Sequence, residues 1–170
     1  MRFSDFLKAT VLLSAGCATL LATVTVLGVA RTGDAVLVYV AAGWWLLATA
    51  IGAFLGRRAE TSPPIAHLLA GARTQTTLPE LAPGTTIVNR LWPLLVCTIG
   101  GAGVSFVEPQ VAAVAAGFTI IWALAWRRQE LAVLAVEERD GVRFYVDRTS
   151  PLAPIRLLRT PGFGGSYLKS

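Results

Sequence analysis

The chain has 170 residues, of which 54% are hydrophobic and only 15% are charged, and its formal net charge is +5. The apolar fraction is higher than that of ordinary soluble domains, which excludes a simple soluble globular protein. The basic charge does not indicate nucleic-acid binding, because the basic residues flank apolar segments and form no separate basic-aromatic motif. We therefore expect no nucleic-acid partner, and the first partner that the composition predicts is the lipid bilayer.

Four segments contain no Asp, Glu, Lys or Arg: Ala9–Ala30, Ala35–Gly56, Leu91–Val107 and Pro109–Trp126. A helix needs about 20 apolar residues to cross a hydrocarbon core of about 30 Å, and about 17 suffice. The sequence therefore predicts an all-α membrane protein, a four-helix transmembrane bundle of two hairpins with a small cytoplasmic C-terminal β-hairpin or extended tail. The transmembrane domain is expected over residues 1–130 and the tail over 131–170.

The first span contains the sequence Leu13-Ser14-Ala15-Gly16-Cys17, which resembles a bacterial lipoprotein cleavage site. A mature lipoprotein would become polar after the cysteine, whereas thirteen uncharged residues follow Cys17 here. Cys17 and Cys97 both fall within predicted spans. We interpret them as small apolar side chains of the bundle and not as a disulfide.

Small residues indicate where the spans pack, because membrane helices associate where their backbones can approach closely. The candidate packing residues are Ala48, Gly52 and Gly56 in the second span and Gly100, Gly101 and Gly103 in the third. The pair Trp44–Trp45 lies near the middle of the second span. It is interpreted as packing against small residues of neighbouring helices, the alternative being a ligand or lipid site.

The basic residues predict the orientation of the chain. Fourteen of the fifteen Lys and Arg residues lie in the N-terminal segment, in the loop 57–90 or after the fourth span. Basic residues accumulate on the cytoplasmic side of short loops and tails. We therefore expect a multi-pass protein of the inner (plasma) membrane, with both termini and the loop 57–90 in the cytoplasm. Arg greatly outnumbers Lys, which is typical of a GC-rich bacterial genome.

The sequence of the loop 57–90 predicts one short interfacial helix after Ser62-Pro63-Pro64, because Ile65, Leu68 and Leu69 would form an apolar face. His67 is the only histidine of the chain. It has no acidic or cysteine neighbour in the sequence, so it is interpreted as a surface residue, and no metal ligand set is predicted.

Asp140-Gly141 stands between the apolar runs Leu131–Val136 and Val142–Val146, a pattern typical of a β-hairpin. The alternative continues the fourth helix to Asp140 and ends it at Gly141. The hairpin is preferred because Val142–Val146 has a strand-like composition. An extended arm is expected to follow. Since such a tail could not bury its own apolar side chains, the predicted contacts with a partner or the membrane are Phe144, Val146, Ile155, Arg156, Leu158 and Arg159.

The sequence predicts no catalytic residue and no cofactor. A single histidine excludes bis-histidine haem, and neither a nucleophile-elbow motif nor a phosphate-binding loop occurs. The spans contain no ionisable acidic or basic residue, which argues against proton-coupled transport. The expected function is that of a non-enzymatic accessory or scaffold subunit, which docks a protein partner through its tail or forms a homo-oligomer. The alternative is a small oligomeric channel or carrier for an uncharged or lipid-like substrate.

Overall fold

The computed structural model describes residues 1–57, 60–75, 83–147 and 154–161. The helices in these ranges are α1 (Phe3–Thr32), α2 (Ala35–Leu55), α3 (Pro63–Ala70), α4 (Pro83–Val104), α5 (Pro109–Trp126) and α6 (Gln129–Asp140). The strands are β1 (Arg73–Thr74), β2 (Val142–Val146) and β3 (Leu157–Pro161). The rest of the predicted arm, residues 148–153, lies outside the described residues, as do residues 162–170.

Among the described residues, four helices are long and apolar enough to cross a membrane: α1, α2, α4 and the stretch Pro109–Asp140 that contains α5 and α6. This agrees with the four spans predicted from the sequence. The helix ends differ, because α1 begins at Phe3, and α4 begins at Pro83 and ends at Val104. Charged residues mark the edge of an apolar segment but do not end a helix, so the uncharged segments understate both helices at their N-terminal ends.

The turn between α1 and α2 is tight and is fixed by two residues. Gly33 has a φ of +67°, a left-handed conformation that favours glycine. Asp34 is the N-cap of α2, where its side chain accepts hydrogen bonds from the backbone N–H groups of Val36 and Leu37 at 3.0 and 3.2 Å. The cap satisfies two backbone donors that the first turn of a helix leaves unpaired.

The predicted C-terminal β-hairpin is wrong in its first half, because residues 131–136 belong to α6. Gly141 ends this helix in a left-handed conformation with a φ of +61°. Its backbone N–H donates to the carbonyl of Glu137, as in the alternative that continued the helix to Asp140. The buried residues of α6 recur at helical spacing: Gln129, Ala132, Val133 and Glu137. The strand predicted over Val142–Val146 is confirmed as β2.

The sheet has the strand order β1-β3-β2. β2 pairs antiparallel with β3, and β3 pairs parallel with β1, with Leu158 opposite Arg73. The other edge of β2 carries the N-terminal residues: Arg2 forms an antiparallel bridge with Tyr145, and the Val146 N–H donates to the Met1 carbonyl at 3.0 Å. The expected all-α fold with a small C-terminal β-hairpin or extended tail is therefore confirmed in part: the fold is mostly helical, and the tail contributes two strands to a small mixed sheet.

The chain divides into two compact units, which we name the sheet unit and the helix unit. The sheet unit consists of Met1–Lys8, Arg58–Arg90 and Arg128–Ser170, and the helix unit of Ala9–Arg57 and Leu91–Arg127. The sheet unit thus combines the N-terminal segment and the loop with the tail. The expected transmembrane domain over residues 1–130 and cytoplasmic tail over 131–170 stay a prediction.

The helix unit has a core of Leu21, Ala112 and Ala116. Three of its buried hydroxyl groups donate to the carbonyl four residues earlier: Ser14 to Thr10, Thr25 to Leu21 and Thr98 to Leu94, at 2.7–2.8 Å. A hydroxyl in an apolar environment without water costs free energy unless it is hydrogen-bonded. These local bonds therefore allow polar residues to lie inside an apolar bundle.

Candidate functional site

The small residues of the second predicted span lie where α2 packs on α5. Ala48 is completely buried, and Gly52 and Gly56 are buried as well. A Cβ atom on Gly52 would lie 2.8 Å from Leu124 Cβ and 3.0 Å from Ile121 Cα, and one on Gly56 would overlap the Leu124 carbonyl. Because real Cβ atoms do not approach so closely, any side chain at Gly52 or Gly56 must separate the two helices.

The tryptophan pair of α2 also packs on α5. The indole N–H of Trp44 donates to the Val114 carbonyl at 3.1 Å, and that of Trp45 donates to the Ala113 carbonyl at 2.9 Å. The Trp44 ring occupies the space that a side chain at Gly117 would need. Both indole groups are therefore hydrogen-bonded inside the helix unit, which supports the packing interpretation of this pair.

The glycines of the third predicted span are not brought together. Gly101 is half-buried, and a Cβ atom there would make ordinary contacts of 3.6 Å with Ala115 and Leu21. Gly100 and Gly103 are exposed, and a Cβ atom at either position would have no neighbour within 4 Å. Within the helix unit, only Gly101 of these three lies in a contact between helices.

In the sheet unit, Glu137 joins the N-terminal segment to α6 and β2. Its side chain is only 5% exposed, and its Oε2 accepts a hydrogen bond from Arg2 Nη2 at 2.9 Å. Its Oε1 accepts a second bond from the Phe144 backbone N–H at 2.9 Å. A buried carboxylate is stable only when its charge is paired and its oxygens are hydrogen-bonded. The two bonds meet both requirements.

The loop is joined to α6 by the side chain of Gln129, which is buried. Its Oε1 accepts from the Ser62 backbone N–H at 2.9 Å, and its Nε2 donates to the Glu60 carbonyl at 3.3 Å. The α3 helix confirms the predicted short helix in this loop, and its Ile65 is 1% exposed. Sequence reasoning missed both Gln129 and Glu137, which are polar residues that serve as internal hydrogen-bonding partners.

The predicted contact residues of the tail separate into two groups. Phe144 and Val146 are 3% and 5% exposed, so the tail does bury these side chains, and the reason for expecting them at a partner surface is wrong. Ile155 and Leu158 are half-buried, and Arg156 and Arg159 are exposed. The sheet produces this difference, because β2 lies between β3 and the N-terminal segment.

An open cleft of about 630 Å³ lies in the sheet unit between α3, β1 and the residues before β3. Its apolar lining is Pro64, Leu68, Ile155 and Leu157, and its polar lining is His67, Arg73, Asp147 and Arg156. The Asp147 backbone N–H donates to the Arg156 carbonyl at 2.9 Å, which holds these two cleft residues side by side.

The charges of the cleft are mainly positive. Asp147 interacts electrostatically with Arg90, whereas Arg73 and Arg156 have no ion pair within 4.0 Å among the described residues. Guanidinium groups bind carboxylate and phosphate oxygens through paired N–H donors. The cleft is therefore suited to an anionic group. Of its polar residues, only Arg156 was predicted from the sequence as a contact residue. His67, interpreted there as a surface residue, and Arg73 come from a distant loop that the parallel pairing of β1 with β3 brings close.

The described residues contain no group of three or more His, Cys, Asp or Glu side chains that could hold a metal ion. Comparison with protein-family models, with curated proteins and with solved structures finds no significant match for this chain.

Proposed function

We propose that this chain is a non-enzymatic integral membrane protein of the plasma membrane that docks a partner protein through its sheet unit, on the cytoplasmic side. The observation that carries the proposal is the sheet unit itself. Three separate segments build a small folded body with a partly buried ion pair and a basic cleft. The four apolar helices are the membrane anchor of this body.

The composition of the sheet unit supports the proposed orientation. Its segments are the N-terminal end of the first apolar helix, the loop after the second helix with the start of the third, and the C-terminal end of the fourth with the residues after it. Segments of one folded body must lie on the same side of a bilayer. An even number of membrane crossings separates each segment from the next, so the chain returns to the same side each time. The basic residues concentrate in the same three segments, and basic segments are retained in the cytoplasm.

Single cysteines test the orientation in a chain in which Cys17 and Cys97 have been replaced by serine. In intact cells, a membrane-impermeant maleimide should label Thr32→Cys and Gln110→Cys, which lie at the two short turns. It should label Gln75→Cys and Glu138→Cys only after the membrane is opened. Labelling of Gln75→Cys in intact cells would contradict the proposed orientation.

Docking is tested by cross-linking in cells, followed by purification in mild detergent and mass spectrometry. A protein that cross-links to the sheet unit of the wild-type chain should be lost when the chain ends at Arg128. It should also be lost in Glu137→Ala, which removes the two internal bonds of Glu137. The truncated chain should still be found in the membrane fraction, because insertion depends on the apolar helices. Unchanged recovery of every cross-linked partner with both variants would contradict the proposal.

A second candidate function is a channel or carrier for a lipid-like substrate. It is favoured by an open groove of about 500 Å³ in the helix unit, with the mostly apolar lining Ala18, Thr19, Ala22, Thr23, Val26, Leu27 and Ile120. The groove lies on the surface of helices that the bilayer would surround, so ordinary lipid chains can fill it. Transport that persists in the chain ending at Arg128 would favour this second function.

A further inference from the structure

We propose that the cleft of the sheet unit is the docking site itself, and that its occupant is an acidic segment of the partner protein with carboxylates facing Arg73 and Arg156. This inference rests on the proposed docking function. It adds the position of the site and the chemistry of the partner.

The two arginines are presented from neighbouring chain segments. Arg73 lies in β1 opposite Leu158 of β3, and Arg156 precedes Leu158 by two residues. From the spacing and rise of strands, their Cα atoms are about 8 Å apart. Two carboxylates on one peptide segment can be presented at such a separation, and each can accept paired N–H donors from one guanidinium group.

The apolar lining of the cleft also suits a peptide segment, because it can contact apolar side chains of the partner. Pro64 and Leu68 come from α3, Ile155 comes from the segment before β3, and Leu157 is the first residue of β3. Burial of apolar side chains provides most of the affinity at an interface, while complementary charges provide specificity and fast association. The cleft therefore fits a segment in which acidic and apolar residues alternate better than it fits a free inorganic anion.

The positions of the exposed arginines allow a ligand of the cleft to be distinguished from an anionic membrane surface. Arg159 lies near the Asp140 carboxylate, with which it interacts electrostatically. Arg143 is exposed on β2 and does not line the cleft. An anionic leaflet attracts every exposed basic residue near it. A ligand in the cleft, by contrast, contacts Arg73 and Arg156, which line the cleft, and not Arg143 and Arg159, which lie outside it.

The test uses the full chain in nanodiscs of phosphatidylcholine. The probe is a fluorescent peptide of alternating Glu and Leu, with a Gln-Leu peptide of the same length as the uncharged control. Fluorescence anisotropy should show saturable binding of the Glu-Leu peptide and much weaker binding of the control. Arg73→Glu and Arg156→Glu should each weaken binding by about tenfold. Arg143→Glu and Arg159→Glu make the same charge change outside the cleft and should weaken it by less than about twofold.

Three results would overturn the inference. The first is an equal loss of binding with all four charge reversals, which would indicate general electrostatic attraction. The second is equal binding of the Glu-Leu and Gln-Leu peptides. The third combines two observations: peptide binding is lost when the nanodiscs contain phosphatidylglycerol, and Arg156→Glu does not weaken peptide binding. This result would indicate a lipid headgroup as the occupant.

The failure of this inference can be distinguished from the failure of the docking function. If Arg156→Glu retains a cross-linked partner that Glu137→Ala loses, the sheet unit docks that partner elsewhere and the cleft assignment is wrong. If both variants retain every partner, the docking function is wrong as well. Loss of the same partner in Arg73→Glu and Arg156→Glu, with retention in Arg159→Glu, supports both proposals.

Discussion

Replacing Glu137 with Ala should destabilise the sheet unit by about 3 kcal/mol. The change removes the hydrogen bonds that Glu137 accepts from Arg2 and from the Phe144 backbone N–H. It leaves a buried backbone donor without its acceptor and a partly buried guanidinium group without its counter-charge. Hydrogen exchange measured by mass spectrometry in detergent should show the amides of β2 exchanging about 100-fold faster, since about 1.4 kcal/mol corresponds to a factor of ten.

The neighbouring residue provides the matched control. Glu138 is exposed, carries the same charge and lies on the same helix, so Glu138→Ala should change the exchange of β2 by less than about threefold. Glu137→Gln keeps an acceptor for the Phe144 N–H and should have an intermediate effect. Identical exchange in Glu137→Ala and Glu138→Ala would show that the ion pair does not stabilise the sheet.

Replacing Gly52 with Leu should destabilise the helix unit by about 3 kcal/mol, because the new side chain would have to displace α5 at Ile121 and Leu124. Overpacking of a close contact typically costs about 1–3 kcal/mol, and more when backbone must move. Thermal unfolding in detergent should show a decrease of about 10 °C for a chain of this size. The tight approach of α2 to α5 at this point is the physical reason.

Gly43 allows the same substitution on the same helix without the contact. It is exposed, and a Cβ atom there would meet nothing within 4 Å. Gly43→Leu should therefore retain the wild-type unfolding temperature or raise it slightly, since Leu favours a helix over Gly. Leu46→Ala, at a residue that is 73% exposed, should also have little effect. Equal decreases for Gly52→Leu and Gly43→Leu would show that the α2–α5 contact does not determine stability.

The four apolar helices could be predicted from the sequence because the signal is local. A helix that is long and apolar enough to cross a membrane must carry an uncharged run of sufficient length, and that run can be counted. The packing face of α2 was also readable, since Gly52 and Gly56 allow a close approach of backbones, but the sequence did not identify α5 as the helix that packs there. The exposure of Gly100 and Gly103 could not be predicted from the sequence, because a glycine allows a close helix contact but does not require one.

The sheet could not be predicted, because its pairings are between distant parts of the chain. Val142–Val146 reads as a strand in isolation, but its neighbours are Leu157–Pro161 and the N-terminal residues Met1 and Arg2. Asp140-Gly141 is compatible with a hairpin turn and with the end of a helix. The burial of Glu137 beside Arg2 decides for the helix, and no local pattern contains that contact. The cleft depends on the same distant pairings.

The position of Met1 and Arg2 beside β2 has a consequence for the order of events during biosynthesis. Arg2 leaves the ribosome first, yet Glu137 follows it by 135 residues. At typical rates of synthesis, the interval is on the order of ten seconds. In the proposed four-span topology, Met1 and Arg2 must wait on the cytoplasmic side until every apolar helix has been inserted. A chain with one helix inverted would leave its N-terminus, its loop or its tail on the opposite side of the membrane. The pairings of the sheet would then not form, and the unpaired strand edge would leave the misinserted chain susceptible to proteolysis.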